Sequence, residues 1–595
     1  VSVKPMGSGG DARWRSAAMR CAFFTIRVAR IYGSPVYSRN VLRDTSLRIS
    51  ADTYKAARHA EASNKGDTLG NTRSSRRDMP LTLISLSIIF LSVGGLAAFP
   101  KQSIAGAEQV LYWCTTIFAS PVLLFAFCSS IFVIGLALSK YGKIRLGEGA
   151  PEYSTLSWIF MFILSGLGSS SLYWGFLDWA YYYQTPGLNL PPESQQALKF
   201  SVAYSFFHSG LSAWAIYAVG AVAMCYHFHV RKNKGLGLAS VIEAITGCRA
   251  SGPVGRLIDL LFMLCMFGAL TISLVLTATT FSRLLATLTG LPDTFTTQVI
   301  IILAVSVLFT ISSWVGMDGG MKRLSHMVCW GVVALTIYIY LAGPTQFITS
   351  NTLSSLGLML TNFVDMSLFT DPMGDGKFTR EWTVFYWLWW ISYAPGVALF
   401  VTRVSRGRTI REVILAMLLG GCVGVWFVFG VLENYSLHNF MNSVVNVPGV
   451  LSHQGGELAI SMLLDQLPAG RIVMTFFLFV MAIFLAAHMD AVGYAVSATC
   501  TRDLAEGEDP APADRLFWCI MLTLVPLAMI FSKAPLNTMK TAVIVTAIPF
   551  LVVLLLKAYG LLKWLREDYG HVPGHLIEER NASPDMVATD RQRVG

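Results

Sequence analysis

One stretch of the sequence, Glu381-Trp382-Thr383-Val384-Phe385-Tyr386-Trp387-Leu388-Trp389-Trp390-Ile391-Ser392-Tyr393, carries an unusual density of large aromatic side chains. On a helix Trp382, Tyr386, Trp389 or Trp390, and Tyr393 follow the i, i+4, i+7/8, i+11 spacing of a single face. A second group holds Tyr173, Trp174, Trp179 and Tyr181-Tyr182-Tyr183, and a third places Trp214 and Tyr217 one turn apart. Rings of this kind suit one ligand chemistry well. A trimethylammonium group has no N–H to donate, and each π face attracts it by about 0.5–2 kcal/mol, so three or four rings can hold it and still let it go. Aromatics also mark the headgroup belt of membrane proteins. That second reading stays open for Trp179 and the tyrosine run.

The elements that must position these rings are membrane helices. Of 595 residues 54% are apolar and only 13% charged, against about 25% charged in a soluble chain, with a mean hydropathy of +0.55. This excludes an ordinary soluble enzyme and a disordered chain. Twelve apolar runs reach the roughly 20 residues needed to span a bilayer: about 81–99, 117–139, 156–183, 200–229, 257–288, 297–314, 323–342, 382–402, 411–432, 471–499, 515–532 and 540–562. Asn351–Phe369 and Leu437–Leu464 are too interrupted to span and read as external amphipathic or re-entrant helices. The ten cysteines show no metal-ligand spacing and read as small buried hydrophobes, so neither a metal nor another cofactor is expected. No HExxH, GxSxG, P-loop or Rossmann fingerprint stands in a suitable context, and an enzyme is not expected.

Charge divides the chain. Residues 1–78 hold 15 Lys/Arg against 6 Asp/Glu, whereas the other residues hold 30 against 29, so the basic character belongs to the N-terminal segment. That segment shows no periodic apolar face and reads as disordered or absent from the mature protein; 79–564 is the membrane domain and 565–595 a cytoplasmic tail. Basic residues gather in alternate loops (Lys140, Lys143 and Arg145; Arg231 and Lys232; Lys322 and Arg323; Arg403, Arg406, Arg408 and Arg411; Arg502 and Arg515), which places both termini in the cytoplasm.

Two runs contain poor helix formers at mid-membrane depth. The third holds Ser165-Gly166-Leu167-Gly168-Ser169-Ser170-Ser171, and the eighth holds Ala394-Pro395-Gly396. Gly166, Gly168, Ser170, Pro395 and Gly396 are therefore the expected helix-break residues. The breaks lie five spans apart, as they would if spans 3–7 and 8–12 were inverted repeats that each open with a discontinuous helix around a central site. Close helix packing is the alternative for glycine and serine at such positions.

At these residues the chain resembles the betaine/choline/carnitine transporter family over most of Met79–Trp564. The resemblance rests on Trp382 to Trp390 as quoted above and on Arg403-Val404-Ser405-Arg406-Gly407-Arg408-Thr409-Ile410-Arg411-Glu412. It is supported by Leu172-Tyr173-Trp174-Gly175, Ala203-Tyr204-Ser205-Phe206-Phe207-His208 and Trp214-Ala215-Ile216-Tyr217. Tyr181-Tyr182-Tyr183-Gln184-Thr185-Pro186 and Phe369-Thr370-Asp371-Pro372 look most like the carnitine/precursor antiporter branch. The resemblance implies an all-α, twelve-helix LeuT-type fold with a five-plus-five inverted repeat. It also implies a homotrimer in a bacterial cytoplasmic membrane, in contact with lipid and not nucleic acid. The implied cargo is a quaternary ammonium compound or betaine-like zwitterion such as carnitine, glycine betaine, choline or γ-butyrobetaine.

Carried over by position, the family's aromatic box falls on Trp214, Tyr217, Trp389 and Trp390, with Tyr181 and Tyr393 nearby. The position after Phe207-His208 is usually Trp in the family and here is Ser209, which implies either a wider pocket or a ligand bearing something other than a plain trimethylammonium head. Sodium-driven members carry a Thr-Ser hydroxyl pair where this chain has Ala487 and His488, ahead of Asp490. An imidazole is a poor sodium ligand. The departure points to sodium-independent exchange, with sodium- or proton-coupled uptake as the alternative. For His488 two readings stay open: a cation standing in for sodium, or a histidine hydrogen-bonded within the bundle to Asp490. Asp178 reads as a solvated interfacial carboxylate.

Overall fold

The computed structural model describes residues 76–165, 168–233, 237–315, 322–502 and 510–582. The N-terminal segment up to residue 75, the break residue Gly166 and the last thirteen residues of the tail lie outside them. The described chain is almost wholly helical; a two-residue ladder pairs β1 (Arg76–Arg77) antiparallel with β2 (Thr501–Arg502).

In order the helices are α1 (Met79–Ala98), α2 (Pro100–Leu138), α3 (Thr155–Ser165), α4 (Ser171–Gln184), α5 (Gln195–His208), α6 (Leu211–Cys225), α7 (Leu238–Thr246) and α8 (Pro253–Thr289). They continue with α9 (Phe295–Val315), α10 (Lys322–Ala342), α11 (Thr345–Thr361), α12 (Phe363–Leu368), α13 (Val384–Val404), α14 (Ile410–Leu415) and α15 (Cys422–Met441). The last are α16 (Val447–Gln454), α17 (Gly456–Asp465), α18 (Gly470–Thr499), α19 (Pro512–Phe531), α20 (Leu536–Tyr569) and α21 (Gly574–Ala582). Among the described residues nine segments are long and apolar enough to cross a membrane, or ten if the pair His326–Ala342 and Thr345–Thr361, bent by 112°, counts as one. The twelve expected runs are not all counted because the third is split, the sixth has a shorter apolar stretch, Phe295–Ile311, and the seventh belongs to the bent pair.

Local chemistry explains the boundaries. Asp78 caps α1 by accepting from the Leu81 amide at 3.4 Å, and Pro80 occupies the first turn, where its missing N–H costs nothing. The second span starts at Pro100 rather than near residue 117, because that proline opens a 39-residue helix with no later stop before Ser139. At about 1.5 Å per residue α2 is far longer than the roughly 30 Å hydrocarbon core, so it tilts or projects beyond it.

The third span breaks as expected: α3 is described as far as Ser165, and Gly168-Ser169-Ser170 form a turn into α4, pinned by the Gly168 amide donating to Ser171 Oγ at 3.0 Å. The eighth does not. α13 runs through Pro395 and Gly396 without interruption, so the break expected there is corrected. A proline removes one helical hydrogen bond, and in a buried helix packed on its neighbours that loss is tolerated. The irregularity on this segment is a π-helical turn at Thr379–Thr383, well before Pro395.

The other true break lies in the fourth span, at Ser209-Gly210 between α5 and α6. A Cβ on Gly210 would sit 2.4 Å from the Phe206 carbonyl oxygen, so only glycine makes this turn. Its effect is to bring α6 against α13, the most extensive helix contact among the described residues.

Candidate binding site between two helix breaks

The aromatic side chains sort into two groups on different sides of α13. Trp390 lies against Tyr217, ring centroids 4.8 Å apart and nearly edge to face, and 6.2 Å from Trp214; Trp214 and Tyr217 are themselves 5.8 Å apart. The Trp390 indole N–H donates to the His208 carbonyl at 2.9 Å, which ties the ring to the end of α5 at the fourth-span break. Trp389 belongs elsewhere. It stacks on Phe385 at 5.4 Å and meets Trp174 at 6.1 Å, Tyr386 at 5.9 Å and Tyr393 at 6.4 Å. Neighbours on a helix point about 100° apart, so the expected four-membered box divides into a trio and a second cluster.

Tyr181 joins the second cluster, 5.0 Å from Trp382 and 6.0 Å from Trp174, with its hydroxyl 2.8 Å from that of Tyr173. Ser209 is 4% exposed and its hydroxyl turns back onto the Ser205 carbonyl at 2.7 Å. It forms the turn and not an open wall, which corrects the expectation of a pocket widened at that point. Trp389, Trp390, Tyr393, Ala487 and His488 are partly exposed although the helices around them are buried, as residues lining an internal opening are.

A ring of polar groups closes the third-span break. His488 Nδ1 lies 3.2 Å from Ser169 Oγ and its Nε2 3.2 Å from the Tyr393 hydroxyl. That hydroxyl also meets Ser273 Oγ at 3.3 Å and donates to the Ala269 carbonyl at 3.0 Å, and Ser273 Oγ is 3.2 Å from Ser170 Oγ. Gly168 leaves room for the imidazole, since a Cβ there would be 3.9 Å from His488 Cε1. The pairing of His488 with Asp490 is corrected: two residues apart on α18 they point about 200° apart, and the partners of His488 are hydroxyl groups. Ala487 neighbours this ring, whereas Asp490 is buried away from it.

Three buried ionisable groups complete the surroundings. Asp178 is fully buried and not solvated; it accepts from the Tyr386 hydroxyl on both oxygens, at 2.9 and 2.7 Å. Lys540 is 1% exposed, donates to the Glu381 carbonyl at 2.7 Å and lies 3.4 Å over the Trp382 ring and 4.9 Å over Phe385. A resident ammonium therefore already occupies the Trp382 face. Glu433 is fully buried and accepts from Ser205 Oγ.

Lys540, Glu433 and the Gly210 break are absent from the sequence-based set. The signal for the first two was available: a lone charge in an apolar run is costly and marks a functional position. Drawing the ninth run to residue 432 and the twelfth from residue 540 placed Glu433 just outside one span and Lys540 at the edge of another.

Residues 80–570 match the family model described as BCCT, betaine/carnitine/choline family transporter. The chain is 71% identical over 514 residues to a protein of Acinetobacter baumannii named carnitine transporter, covering 86% of this chain and 94% of that one. It is 60% identical over 462 residues to the Escherichia coli uncharacterized transporter YeaV, covering 78% and 96%. A solved substrate-bound, outward-open Na+-coupled sialic acid symporter superposes at a TM-score of 0.37 and 15% identity over 71% of this chain and 80% of that one, too loosely to carry any inference. With a match from residue 80 to residue 570 and relatives of this identity covered almost end to end, the chain belongs to the betaine/carnitine/choline transporter family, whose members are multi-span membrane transporters and not enzymes.

Proposed function

We propose that the protein carries betaine-like quaternary ammonium zwitterions, carnitine first among them with γ-butyrobetaine, glycine betaine and choline as competitors, by sodium-independent exchange across a bacterial cytoplasmic membrane. The observation that carries the reading is the trio Trp214, Tyr217 and Trp390, three π faces beside the fourth-span break with no protein cation upon them among the described contacts. The indole N–H of Trp214 is buried without an acceptor among the described residues, and it is a donor for a carboxylate or hydroxyl on the same ligand. The 71% identical relative named as a carnitine transporter supports the choice of substrate. Ala487 and His488 support the absence of sodium coupling, since a methyl group and a ring nitrogen stand where hard oxygen ligands are needed.

Sodium-coupled uptake is the second reading, favoured by the hydroxyls of Ser169, Ser170, Ser273 and Tyr393 gathered around one break. The reading includes a homotrimer, both termini in the cytoplasm and a five-plus-five inverted repeat. The repeat rests on family membership, because the continuous α13 removes the paired breaks as an argument for it. Counterflow of labelled carnitine in proteoliposomes, with and without sodium and with each competitor, tests the proposal. Saturable exchange in potassium alone supports it; strict sodium dependence selects the second reading.

A further inference from the structure

Two buried acids sit in this bundle with very different surroundings. Asp178 receives the Tyr386 hydroxyl on both oxygens and lies within electrostatic range of the Lys540 ammonium. Glu433, 0% exposed on α15, accepts from Ser205 Oγ on Oε1, and its Oε2 is buried with no hydrogen-bond partner among the described residues. No Lys or Arg of the described residues stands at salt-bridge distance from it. The groups that face it are Asp178 and Tyr182 on α4 and Ser205 on α5; Tyr340 on α10 shares a groove with Gly430, one turn earlier on α15, and α11 offers none that titrates. A second acid, Asp178, stands where Glu433 would need a cation.

An ionised carboxylate with one bare oxygen, in a medium without water and facing a second carboxylate, is among the most expensive arrangements a membrane helix can hold. Protonation removes that cost. When two carboxyl groups have environments this unlike, the one that receives more hydrogen bonds and lies in range of a cation keeps its charge and the other keeps the proton. We infer that Glu433 is a proton-binding site, distinct from the aromatic trio and from the His488 ring, and that its occupancy is communicated to the trio.

The connection is short. Ser205 bonds Glu433 through its hydroxyl and Ser209 through its carbonyl, which accepts both the Ser209 hydroxyl at 2.7 Å and the Ser209 amide at 3.1 Å. Three residues further along that turn, the His208 carbonyl holds the Trp390 indole N–H. The Trp426 indole on α15 also donates to the Phe206 carbonyl at 2.9 Å, so the helix bearing Glu433 grips the same end of α5. Loss of the proton breaks the carboxyl O–H bond, passes H+ to water and leaves a carboxylate that must recruit donors, with Ser205 the first available. The turn carrying Ser209, Gly210 and the Trp390 anchor then feels the change.

Infrared difference spectroscopy of the full chain in lipid reads the proton directly, without any transport. A protonated carboxylic acid has a carbonyl stretch absent from a carboxylate and shifted in deuterium oxide. The wild type should show it at neutral pH, Asp178→Asn should keep it and Glu433→Gln should lose it. A wild type without the band, or a Glu433→Gln protein that retains it, overturns the site. If Glu433→Gln does not fold, Glu433→Asp serves instead: the band should move in frequency with the changed side chain, and a band that persists unchanged belongs to some other acid and overturns the assignment. The link to flux rests on the proposed transport and is read separately. Exchange by the wild type should fall as pH rises and the acid ionises, and in Glu433→Gln the profile should flatten. An unaltered profile overturns the link, whereas a wild type that shows the band but carries no quaternary ammonium compound leaves the proton site standing and refutes the transport reading.

Discussion

Replacing Trp390 with alanine removes one of three faces around a bound ammonium and the edge-to-face contact that orients Tyr217, whose centroid is 4.8 Å away. The lost cation–π attraction is about 0.5–2 kcal/mol, and the aromatic pair adds about 0.5–1.5 kcal/mol of positioning. Together these weaken binding by about 1–3.5 kcal/mol, roughly five- to several hundred-fold. Trp390→Phe keeps a face but loses the N–H that donates to the His208 carbonyl at 2.9 Å, a net cost of about 1 kcal/mol or roughly fivefold. Binding of labelled carnitine to purified protein in nanodiscs measures the effect, with thermal unfolding and gel filtration to establish that each variant is folded. The expected order of affinity is wild type, then phenylalanine, then alanine. Equal affinity of alanine variant and wild type, both folded, would refute the assignment of the trio as the ammonium site.

Lys540→Met should lower the melting temperature because it removes the ammonium that lies over Trp382 and within electrostatic range of Asp178, and Asp178→Asn in addition should recover part of that loss; melting of both singles and the double provides the cycle. Gly210→Ala should abolish folding or sharply lower the melting temperature, since its Cβ would meet the Phe206 carbonyl at 2.4 Å. Ser209→Trp should cost about 1–3 kcal/mol of stability through overpacking at a 4% exposed position, checked by thermal melting, and should not tighten the binding of compact ligands. His488→Ala should weaken exchange by loosening Ser169 and Tyr393 without making it depend on sodium, as flux in potassium and sodium buffers would report.

Composition and apolar run length were enough to read the class of this chain, and the aromatic spacing singled out Trp214, Tyr217 and Trp390, which the fold brings together. The glycine-serine cluster also announced the third-span break, because unfavourable helix propensity at six of the seven positions from Ser165 to Ser171 has few other outcomes. Pro395 misled for a physical reason. A proline takes only one hydrogen bond from a helix that its neighbours otherwise hold, whereas Gly210, with a backbone closed to any Cβ, breaks the fourth span inside an unremarkable sequence. The division of Trp389 from Trp390 follows from the 100° step of a helix, but which of the two faces α6 depends on tertiary packing that no local pattern encodes. The same holds for Asp178, whose burial is produced by Tyr386 and Lys540 from distant parts of the chain.

The central claim is that this carrier moves quaternary ammonium zwitterions without sodium. Counterflow of labelled carnitine into proteoliposomes preloaded with carnitine or γ-butyrobetaine, in potassium-only buffer, measures it most directly. The account predicts saturable, trans-stimulated entry that glycine betaine and choline inhibit and that added sodium leaves unchanged. Entry that no quaternary ammonium compound stimulates from the opposite side, or that occurs only when sodium is present, would contradict it.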